Sequence, residues 1–253
     1  MSMPKIRICS VKKCFNSKVV LDGVSLDIMP GESMVLIGLS GTGKSVLMKC
    51  ILGLLKPDGG QILVDGEDWC TLSEKEQLER MRCVGMVFQG SALFDSLPVW
   101  ENVAFALLRQ GISRKEGRER ASHMLEMVGL PGTEDLMPAE LSGGMIKRAG
   151  FARAICHEPE IVFYDEPLAG LDPIMSDAIT QLMLKLHKEF KVTSFTIAHN
   201  MQLARSFGNR IAMLMDGRIH RILSPDELDS CQDPKVRQFV EGRAEGPIHV
   251  LEG

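Results

Sequence analysis

The stretch GLSGTGKS at residues 38–45 decides the fold, because it matches the pattern GxxxxGK[ST] in the right surroundings. The apolar run MVLI before it predicts a buried strand, and the apolar spacing of VLMKCILGLL after it predicts a helix. Glycines let such a loop wrap around phosphate groups, since successive N–H groups form an anion-binding nest at the helix N-terminus. We expect Lys44 to reach the β- and γ-phosphates of a nucleotide and Ser45 to bind Mg²⁺ through its hydroxyl. The alternative, a glycine-rich turn followed by a chance Lys-Ser pair, does not explain both flanks.

The loop and the first turn of the following helix supply the expected nucleotide contacts. They are Gly38, Ser40, Gly41, Thr42, Gly43, Lys44, Ser45 and Val46. Many such loops carry a second Ser or Thr where Val46 stands, and that hydroxyl can contact the α-phosphate. Val46 keeps only its backbone N–H for this contact, so we expect a modest loss of affinity with the chemistry retained.

Two adjacent carboxylates end another apolar segment, IVFYDEP at residues 161–167. An Asp at such a strand end is placed to hold Mg²⁺, so Asp165 is an expected metal ligand. Glu166 is the candidate to orient and polarise the attacking water. Adjacent carboxylates beside an apolar strand are costly unless a cation lies there, which favours this interpretation over an acidic strand end that faces solvent.

Two further polar residues follow apolar segments. Gln89 comes after VGMVF and is either an ordinary polar strand end or an amide that reaches Mg²⁺ and the lytic water. His199 comes after TSFTIA; alone it would be a structural histidine, and beside these motifs it is a candidate contact to the γ-phosphate. The predicted catalytic residues are Glu166, His199 and Gln89, and the predicted metal ligands are Ser45, Gln89 and Asp165.

A second stretch, LSGGMIKRAG at residues 141–150, also suits a phosphate group at a helix N-terminus. Ser142 is a good N-cap residue, and Gly143 and Gly144 leave backbone N–H groups open to a ligand. Lys147 and Arg148 add positive charge nearby. The chain thus carries two candidate phosphate sites in separate parts of its sequence.

The composition is that of an ordinary globular protein. The 253 residues are 45% hydrophobic and 25% charged, and the net charge of −4 gives no overall reason to bind nucleic acid. No apolar run of about 18 residues predicts a membrane span, and the N-terminus, MSMPKIRICS, lacks the apolar core of a secretory signal. The seven cysteines occur singly without a CxxC pair, so we expect reduced, mostly buried thiols in a cytosolic protein.

The order of predicted elements indicates an α/β fold. Alternating apolar and polar residues between positions 6 and 28, with a break at Asn16 and Ser17, predict a β-hairpin, and residues 95–157 read mainly as helices. We predict a P-loop NTPase core with an N-terminal antiparallel β lobe and a helical insertion. Within this single domain, the core and β lobe are expected at 1–94 and 158–225, the helical subdomain at 95–157, and a C-terminal helix and tail at 226–253. The tail from residue 241 is expected to be extended or mobile.

The motif order resembles the ATP-binding subunits of ABC transporters over roughly residues 5–225. The residues that carry this resemblance are Lys44, Ser45, Gln89, the LSGGM stretch, Asp165, Glu166, the AGLD stretch at residues 169–172, and His199. The resemblance implies ATP and Mg²⁺ as cofactors, and it assigns Phe15 to stacking on adenine; the alternative is a core aromatic of the β lobe. The family usually has Tyr at that position and Gln where Met145 stands, so the hydroxyl and one signature side-chain contact are absent here.

A narrower resemblance is to the bacterial phospholipid-trafficking branch, the Mla type, whose ATPases serve permeases that work with mammalian-cell-entry (MCE) proteins. The matching stretches are FQGSALFDSLPVWENVAFALL, LSGGM, LDPIMSDAI and FVEGRAEGPI. This branch implies a peripheral location on the cytoplasmic face of the bacterial inner membrane, membrane permease subunits, an MCE-domain lipid-binding protein and a small accessory subunit as partners. The alternatives are an importer ATPase for a small solute and a soluble non-transport ABC ATPase.

The family resemblance also implies a head-to-tail homodimer with ATP at the interface. Each nucleotide is held by the phosphate loop of one subunit and closed over by Ser142, Gly143 and Gly144 of the other, while Leu171 and Asp172 cross between subunits. Leu93 and Phe94 are apolar and lie in a loop, where they either dock a permease helix or are buried within this subunit.

Overall fold

The computed structural model describes residues 3–90 and 92–248, which form two compact units. The first unit consists of Met1–Thr71 and Thr196–Gly253 and the second of Leu72–Phe195. The prediction for the last five residues of the tail, 249–253, lies outside the described residues. The predicted subdivision of the domain into core, helical subdomain and C-terminal segment stays a prediction.

Strands predominate at the start of the described chain, helices lie between β6 and β7, and strands and helices alternate from α6 to β9. In chain order the strands are β1 (Ile6–Phe15), β2 (Lys18–Ile28), β3 (Ser33–Ile37), β4 (Gly59–Val64), β5 (Glu67–Asp68), β6 (Val84–Val87), β7 (Ile161–Asp165), β8 (Thr193–Ile197), β9 (Arg210–Met215) and β10 (Arg218–Leu223). The α-helices are α1 (Lys44–Ile51), α2 (Glu74–Arg80), α3 (Val99–Val103), α4 (Phe105–Arg109), α5 (Arg114–Met127), α6 (Gly143–Ile155), α7 (Pro173–Phe190), α8 (Met201–Phe207), α9 (Pro225–Ser230) and α10 (Pro234–Glu241). Short 3₁₀ helices lie at Met81–Cys83 and Pro138–Glu140.

The β lobe of the first unit is a four-stranded antiparallel sheet with the order β2-β1-β4-β5. The predicted hairpin is confirmed: β1 and β2 pair from Ile6 opposite Ile28 to Phe15 opposite Lys18. Asn16 and Ser17 form the turn with positive φ angles of 45° and 69°, the conformation that matches the twist of a two-residue hairpin.

The rest of the first unit contains a sheet segment with the order β10-β9-β3. Strands β3 and β9 are parallel, and β9 turns at Asp216 and Gly217 into the antiparallel β10. All five residues of β3 are buried, so the loop that follows it starts from a rigid strand. The chain after β8 runs beside β3, since the Ala198 N–H donates to the Leu36 carbonyl at 3.1 Å.

The second unit contains parallel strands β6 and β7 with helices α2 to α7. Its core is aromatic: Phe151 of α6 packs on Tyr164 of β7 with ring centroids 5.7 Å apart, and Phe163 meets Phe195 of β8 edge to face at 6.1 Å. These aromatic rings bury a large apolar area and fix α6 against β7. The helical segment between β6 and β7 is the predicted insertion, and the predicted α/β class with an antiparallel β lobe is confirmed.

The segment WENVAFALL is helical, as predicted for residues 95–157, and it forms two short helices, α3 and α4, with Ala104 at φ −81° and ψ 2° between them. All seven cysteines are free, but only Cys50 and Cys156 are buried, while Cys14 is exposed near the end of β1. Most of the thiols are therefore not buried, contrary to the prediction; for Cys14 the reason is that the alternation of β1 places it on the exposed face of the strand.

The described part of the C-terminal tail is folded back, contrary to the expectation of an extended segment. The side chain of buried Gln238 on α10 accepts a hydrogen bond from the Ile248 N–H at 2.7 Å and donates to the Ile248 carbonyl at 3.0 Å. Ile248 is buried as a result. Within residues 3–90 and 92–248, none of the helices combines the length and apolar character needed to cross a bilayer.

Candidate functional site

The phosphate loop of the first unit connects β3 to α1, and three of its glycines have positive φ angles. The φ angles of Gly38, Gly41 and Gly43 are 151°, 77° and 102°. A Cβ on Gly38 would lie 2.3 Å from the Leu214 carbonyl oxygen, and a Cβ on Gly43 would lie 3.0 Å from the backbone oxygen of Val20. The loop therefore requires glycine both for its backbone conformation and for its close approach to neighbouring strands.

Lys44 directs its ammonium group into this loop. The side chain is 5% exposed, and Nζ donates hydrogen bonds to the carbonyls of Gly38 at 2.8 Å and Leu39 at 2.7 Å. The Thr42 hydroxyl donates to the same Leu39 carbonyl at 2.8 Å, which fixes the turn. Positive charge thus lies inside a loop followed directly by a helix N-terminus, which is the arrangement that attracts phosphate. Ser45, the next residue, is exposed on the first turn of α1.

Phe15 and His199 also belong to the first unit. Phe15 ends β1 with 43% of its surface exposed, so it is not a core aromatic of the β lobe. One face of its ring is approached by Lys13 Nζ, which lies 5.5 Å from the ring centroid. His199 is exposed directly after buried Ala198, at the end of β8.

Gln89 and the two carboxylates belong to the second unit. Val87 pairs with Tyr164 in the parallel ladder, so Asp165, the last residue of β7, and Gln89, two residues after β6, lie at the carboxyl ends of neighbouring strands. Asp165 and Glu166 are half-buried, and Gln89 is exposed. Glu166 adopts a φ of 47°, a left-handed conformation that costs about 1–3 kcal/mol for a non-glycine residue and is concentrated at functional sites.

The start of α6 is the second predicted phosphate site, and the structure confirms Ser142 as its N-cap. Ser142 has extended angles, and its Oγ accepts a hydrogen bond from the Met145 N–H at 3.3 Å. Ser142 and Gly143 are exposed, and a Cβ on Gly143 would meet no heavy atom within 4 Å. Gly144 differs, because a Cβ there would lie 2.6 Å from Met175 Cε. The helix start is therefore open on one side and tightly packed on the other.

The charged residues after the glycines have different partners from those predicted. Lys147 Nζ donates to the carbonyls of Pro167 at 3.1 Å and Ala169 at 2.8 Å, and burial lowers the pKa of this ammonium group. Arg148 donates to the Gly129 carbonyl at 2.8 Å. Both side chains therefore bind backbone carbonyls of their own chain. Sequence spacing placed them near the site but could not show which carbonyls they reach.

Sequence reasoning missed Arg153, which lies one and a half turns further along α6. Its guanidinium donates to the Ala92 carbonyl at 2.5 Å and lies 5.9 Å from the centroid of the Phe88 ring. Phe88 and Ala92 flank the turn that carries Gln89, so α6 also holds the loop after β6. An Arg inside a helix gives no sequence signal that could have identified this contact.

The site residues are thus divided between the two units. The first unit carries the phosphate loop, Phe15 and His199, and the second carries Gln89, Asp165, Glu166 and the start of α6. The predicted metal ligands offer hydroxyl, amide and carboxylate oxygens, which is the donor set that Mg²⁺ prefers. Across residues 3–90 and 92–248, no cluster of three or more His, Cys, Asp or Glu side chains is placed to hold a metal ion, so hydroxyl and phosphate oxygens would have to complete such a site.

A strand, a glycine loop around a buried lysine, and a helix define a nucleotide-binding fold, and comparisons with known proteins assign its family. The family model described as "ABC transporter" matches residues 21–169. The chain belongs to the ABC transporter family, which confirms the resemblance in its sequence, and it is an ATPase of the ATP-binding cassette class.

Two relatives and one solved structure illustrate the similarity. The chain is 40% identical over 249 residues to the probable ribonucleotide transport ATP-binding protein mkl of Mycobacterium leprae, covering 98% of this chain and 72% of that protein. It is 37% identical over 233 residues to the intermembrane phospholipid transport system ATP-binding protein MlaF of Haemophilus influenzae, covering 91% and 88%. A dimeric post-hydrolysis state of the ATP-binding cassette MJ0796 bound to ADP and Pi is similar with a TM-score of 0.79 and 32% identity, covering 87% of this chain and 98% of that one.

Proposed function

We propose that this protein is the ATP-hydrolysing motor of a membrane transporter that moves phospholipid between bacterial membranes. The similarity to MlaF supports this cargo, because it extends over 91% of this chain and 88% of that protein. The narrower sequence resemblance to the Mla type rests on separate stretches and points the same way. On this proposal the protein is peripheral on the cytoplasmic face of the inner membrane, and its partners are permease subunits, an MCE-domain protein and a small accessory subunit.

The observation that carries the proposed mechanism is the open N-terminus of α6. Ser142 and Gly143 are exposed, and Gly143 has free space beside its Cα. We infer that the ligand of this helix start is the γ-phosphate of ATP held by a second copy of the chain. The dimeric form of the similar solved cassette supports this arrangement. ATP is then the contact that joins the two copies, and hydrolysis removes the bridging phosphate and lets them part.

Each residue has a distinct role in this mechanism. Lys44 binds the β- and γ-phosphates, and Phe15 offers the exposed face of its ring to adenine. Glu166 accepts a proton from the attacking water, with Gln89 orienting that water and His199 contacting the γ-phosphate. Val46 contributes its backbone N–H, as do the glycines of both loops.

Magnesium fits the oxygen donors that these residues provide. Ser45 would bind it through its hydroxyl, and Asp165 and Gln89 would bind it directly or through water. Bound Mg²⁺ neutralises charge on the β- and γ-phosphate oxygens. The chain's own contribution is to hold the nucleotide and to place Glu166 beside the reacting phosphate.

The loop around Phe94 is proposed to contact the permease. Phe94 is 43% exposed, and its ring packs against Phe105 with the centroids 4.5 Å apart and the rings tilted by 36°. Its backbone is fixed by the buried side chain of Asn102, which accepts from the Phe94 N–H at 2.6 Å. Leu93 is half-buried. A rigidly held, exposed aromatic ring suits an apolar partner helix.

A single substitution tests the shared site. Ser142→Arg places a bulky cation at the start of α6, so we expect it to abolish ATP hydrolysis while ATP still binds at the phosphate loop. Ser113→Arg is the matched control, because Ser113 is an exposed N-cap of α5 in the same unit and should tolerate the change. Unchanged hydrolysis in Ser142→Arg would refute the shared-site proposal.

The cargo needs a separate experiment. We expect the protein to co-purify from detergent with a membrane permease, and the intact complex to carry phospholipid detectable by mass spectrometry. A small-solute importer is the second candidate, and the similarity to mkl, a probable ribonucleotide transport ATP-binding protein, favours it. A complex that binds ribonucleotide and no phospholipid would support that candidate, and a chain with no membrane partner would support a soluble, non-transport ATPase.

A further inference from the structure

The start of α6 is attached to the segment that follows the carboxylate pair. Lys147 Nζ donates to the carbonyls of Pro167 at 3.1 Å and Ala169 at 2.8 Å. On the other side, Met175 Cε occupies the space beside Gly144, 2.6 Å from where a Cβ would lie. Two independent contacts thus join the first two turns of α6 to the chain between Glu166 and the first turn of α7.

The segment between those contacts is itself well ordered by hydrogen bonds. The Ala169 N–H donates to the Glu166 carbonyl at 3.1 Å, and the Leu171 N–H donates to the Leu168 carbonyl at 3.2 Å. Asp172 then caps α7 by accepting from the N–H groups of Ile174 and Met175 at 2.9 and 3.0 Å. Because these hydrogen bonds restrict the chain from Glu166 to Met175, we expect a displacement of one end of this segment to displace the other end as well.

Lys147 is suited to this attachment by its charge and partial burial. Burial lowers the pKa of its ammonium group, and the Lys147 Nζ donates to the carbonyls of Pro167 and Ala169. Hydrogen bonds from a cation are stronger than neutral ones, which makes them a firm link to a backbone loop. The neighbouring Arg148 instead binds the Gly129 carbonyl beyond the end of α5, so the link to residues 167–169 depends on Lys147.

We infer that Lys147 is a positioning residue that makes Ser142–Gly144 and the loop behind Glu166 move as one body. The inference rests on the proposed function, in which Glu166 serves the chain's own ATP and the start of α6 serves the ATP of a second copy. Lys147 then links the two half-sites within one chain. Loss of the Lys147 side chain should therefore slow hydrolysis at both of the ATP sites to which its chain contributes residues.

Mixed dimers with a single working site test this inference. One copy carries Ser142→Arg and the other carries Lys44→Ala, so the only complete site combines the phosphate loop and Glu166 of the first with the α6 start of the second. Lys147→Met is then placed in the first copy or in the second. We expect hydrolysis to fall about 10-fold in both placements, which is less than the roughly 100-fold loss that a 1 Å misplacement of reacting groups can cause.

Two variants show whether the loss of rate comes from the missing hydrogen bonds of Lys147 or from the loss of a lysine in general. Lys147→Gln keeps an N–H donor and should restore at least half of the rate. Lys185→Met removes another lysine donor to a backbone carbonyl, that of Met127 at 3.3 Å in the same unit, and should leave the rate unchanged. Binding of a fluorescent ATP analogue to the intact phosphate loop should be the same in all variants, which separates positioning from unfolding.

Each other outcome overturns the inference. A loss of rate in one placement only means that Lys147 acts locally, and no loss in either means that it has no positioning role. If Lys147→Gln hydrolyses ATP as slowly as Lys147→Met, the hydrogen bonds from residue 147 do not explain the positioning effect. A parental mixture of Ser142→Arg and Lys44→Ala that stays inactive refutes the shared site itself, and the inference then fails together with the proposed function.

Discussion

Replacing Asn102 with Ala should remove the contacts that fix the loop from Phe94 to Pro98. Asn102 is fully buried on α3, and its Oδ1 accepts from the Phe94 N–H at 2.6 Å. Its Nδ2 donates to the carbonyls of Phe94 at 3.0 Å, Leu97 at 2.9 Å and, more weakly, Pro98 at 3.3 Å. The two amide hydrogens are shared among three carbonyls and count as two hydrogen bonds. The bond accepted from the Phe94 N–H is the third. At about 1 kcal/mol each, the free energy of unfolding should fall by roughly 3 kcal/mol.

Thermal unfolding followed by circular dichroism measures this loss. For a chain of this length, 1 kcal/mol lowers Tm by about 2–4 °C, so Asn102→Ala should melt about 6–12 °C earlier. Asn209→Ala is the matched control, because Asn209 makes one side-chain hydrogen bond, accepting from the Ser33 N–H at 2.7 Å. It should cost about 1 kcal/mol. Asn102→Asp keeps the acceptor and loses the donors, and at neutral pH it should destabilise at least as much as Ala.

Two outcomes would contradict the predicted loss of stability in Asn102→Ala. Equal shifts for Asn102→Ala and Asn209→Ala would show that counting hydrogen bonds at Asn102 is wrong. An Asn102→Asp variant as stable as the wild type would show that the three carbonyls do not need the amide donor. If Phe94 docks the permease as proposed, Asn102→Ala should also weaken association with the permease at temperatures where the variant is folded, since the loop carrying the ring is no longer fixed.

Two further predictions concern the phosphate loop and the thiols. Gly38→Ala puts a Cβ 2.3 Å from the Leu214 carbonyl oxygen and should weaken ATP binding at least about 10-fold, measured by equilibrium titration; unchanged affinity would show that the loop can move aside. Burial raises the pKa of the Cys50 thiol to about 11 and that of Cys156 to about 12. At pH 8 on the order of one Cys50 thiol in a thousand is ionised, so maleimide should label exposed Cys14 and spare Cys50 and Cys156 until the protein is denatured. Peptide mapping that finds Cys156 labelled first would contradict this order.

Local sequence signals predicted most of the fold because they act over short distances. The phosphate loop needs glycines at fixed spacing, so its position between β3 and α1 followed from residues 38–45 alone. Helix caps are equally local: Ser142 caps α6, as predicted, and Ser224 forms a capping box with Glu227 in α9. The hairpin of β1 and β2 followed from alternation and from a turn that tolerates positive φ.

Contacts between distant segments could not be predicted in the same way. Lys147 was expected to attract a phosphate, but it binds the carbonyls of Pro167 and Ala169, because only the fold places those carbonyls beside α6. The folded-back tail depends on the amide of Gln238, whose partner is Ile248. A polar side chain in a sequence has many candidate partners, and burial selects among them only after the elements have packed.

The Glu166→Gln variant shows whether ATP joins two copies of this chain. Without the carboxylate the variant should bind ATP and hydrolyse it at least about 100-fold more slowly, because the general base is lost. Its mass, measured by light scattering during gel filtration, should be that of a dimer with ATP and Mg²⁺ and that of a monomer with ADP. A variant that stays monomeric with bound ATP, or that hydrolyses ATP at nearly the normal rate, would contradict the account.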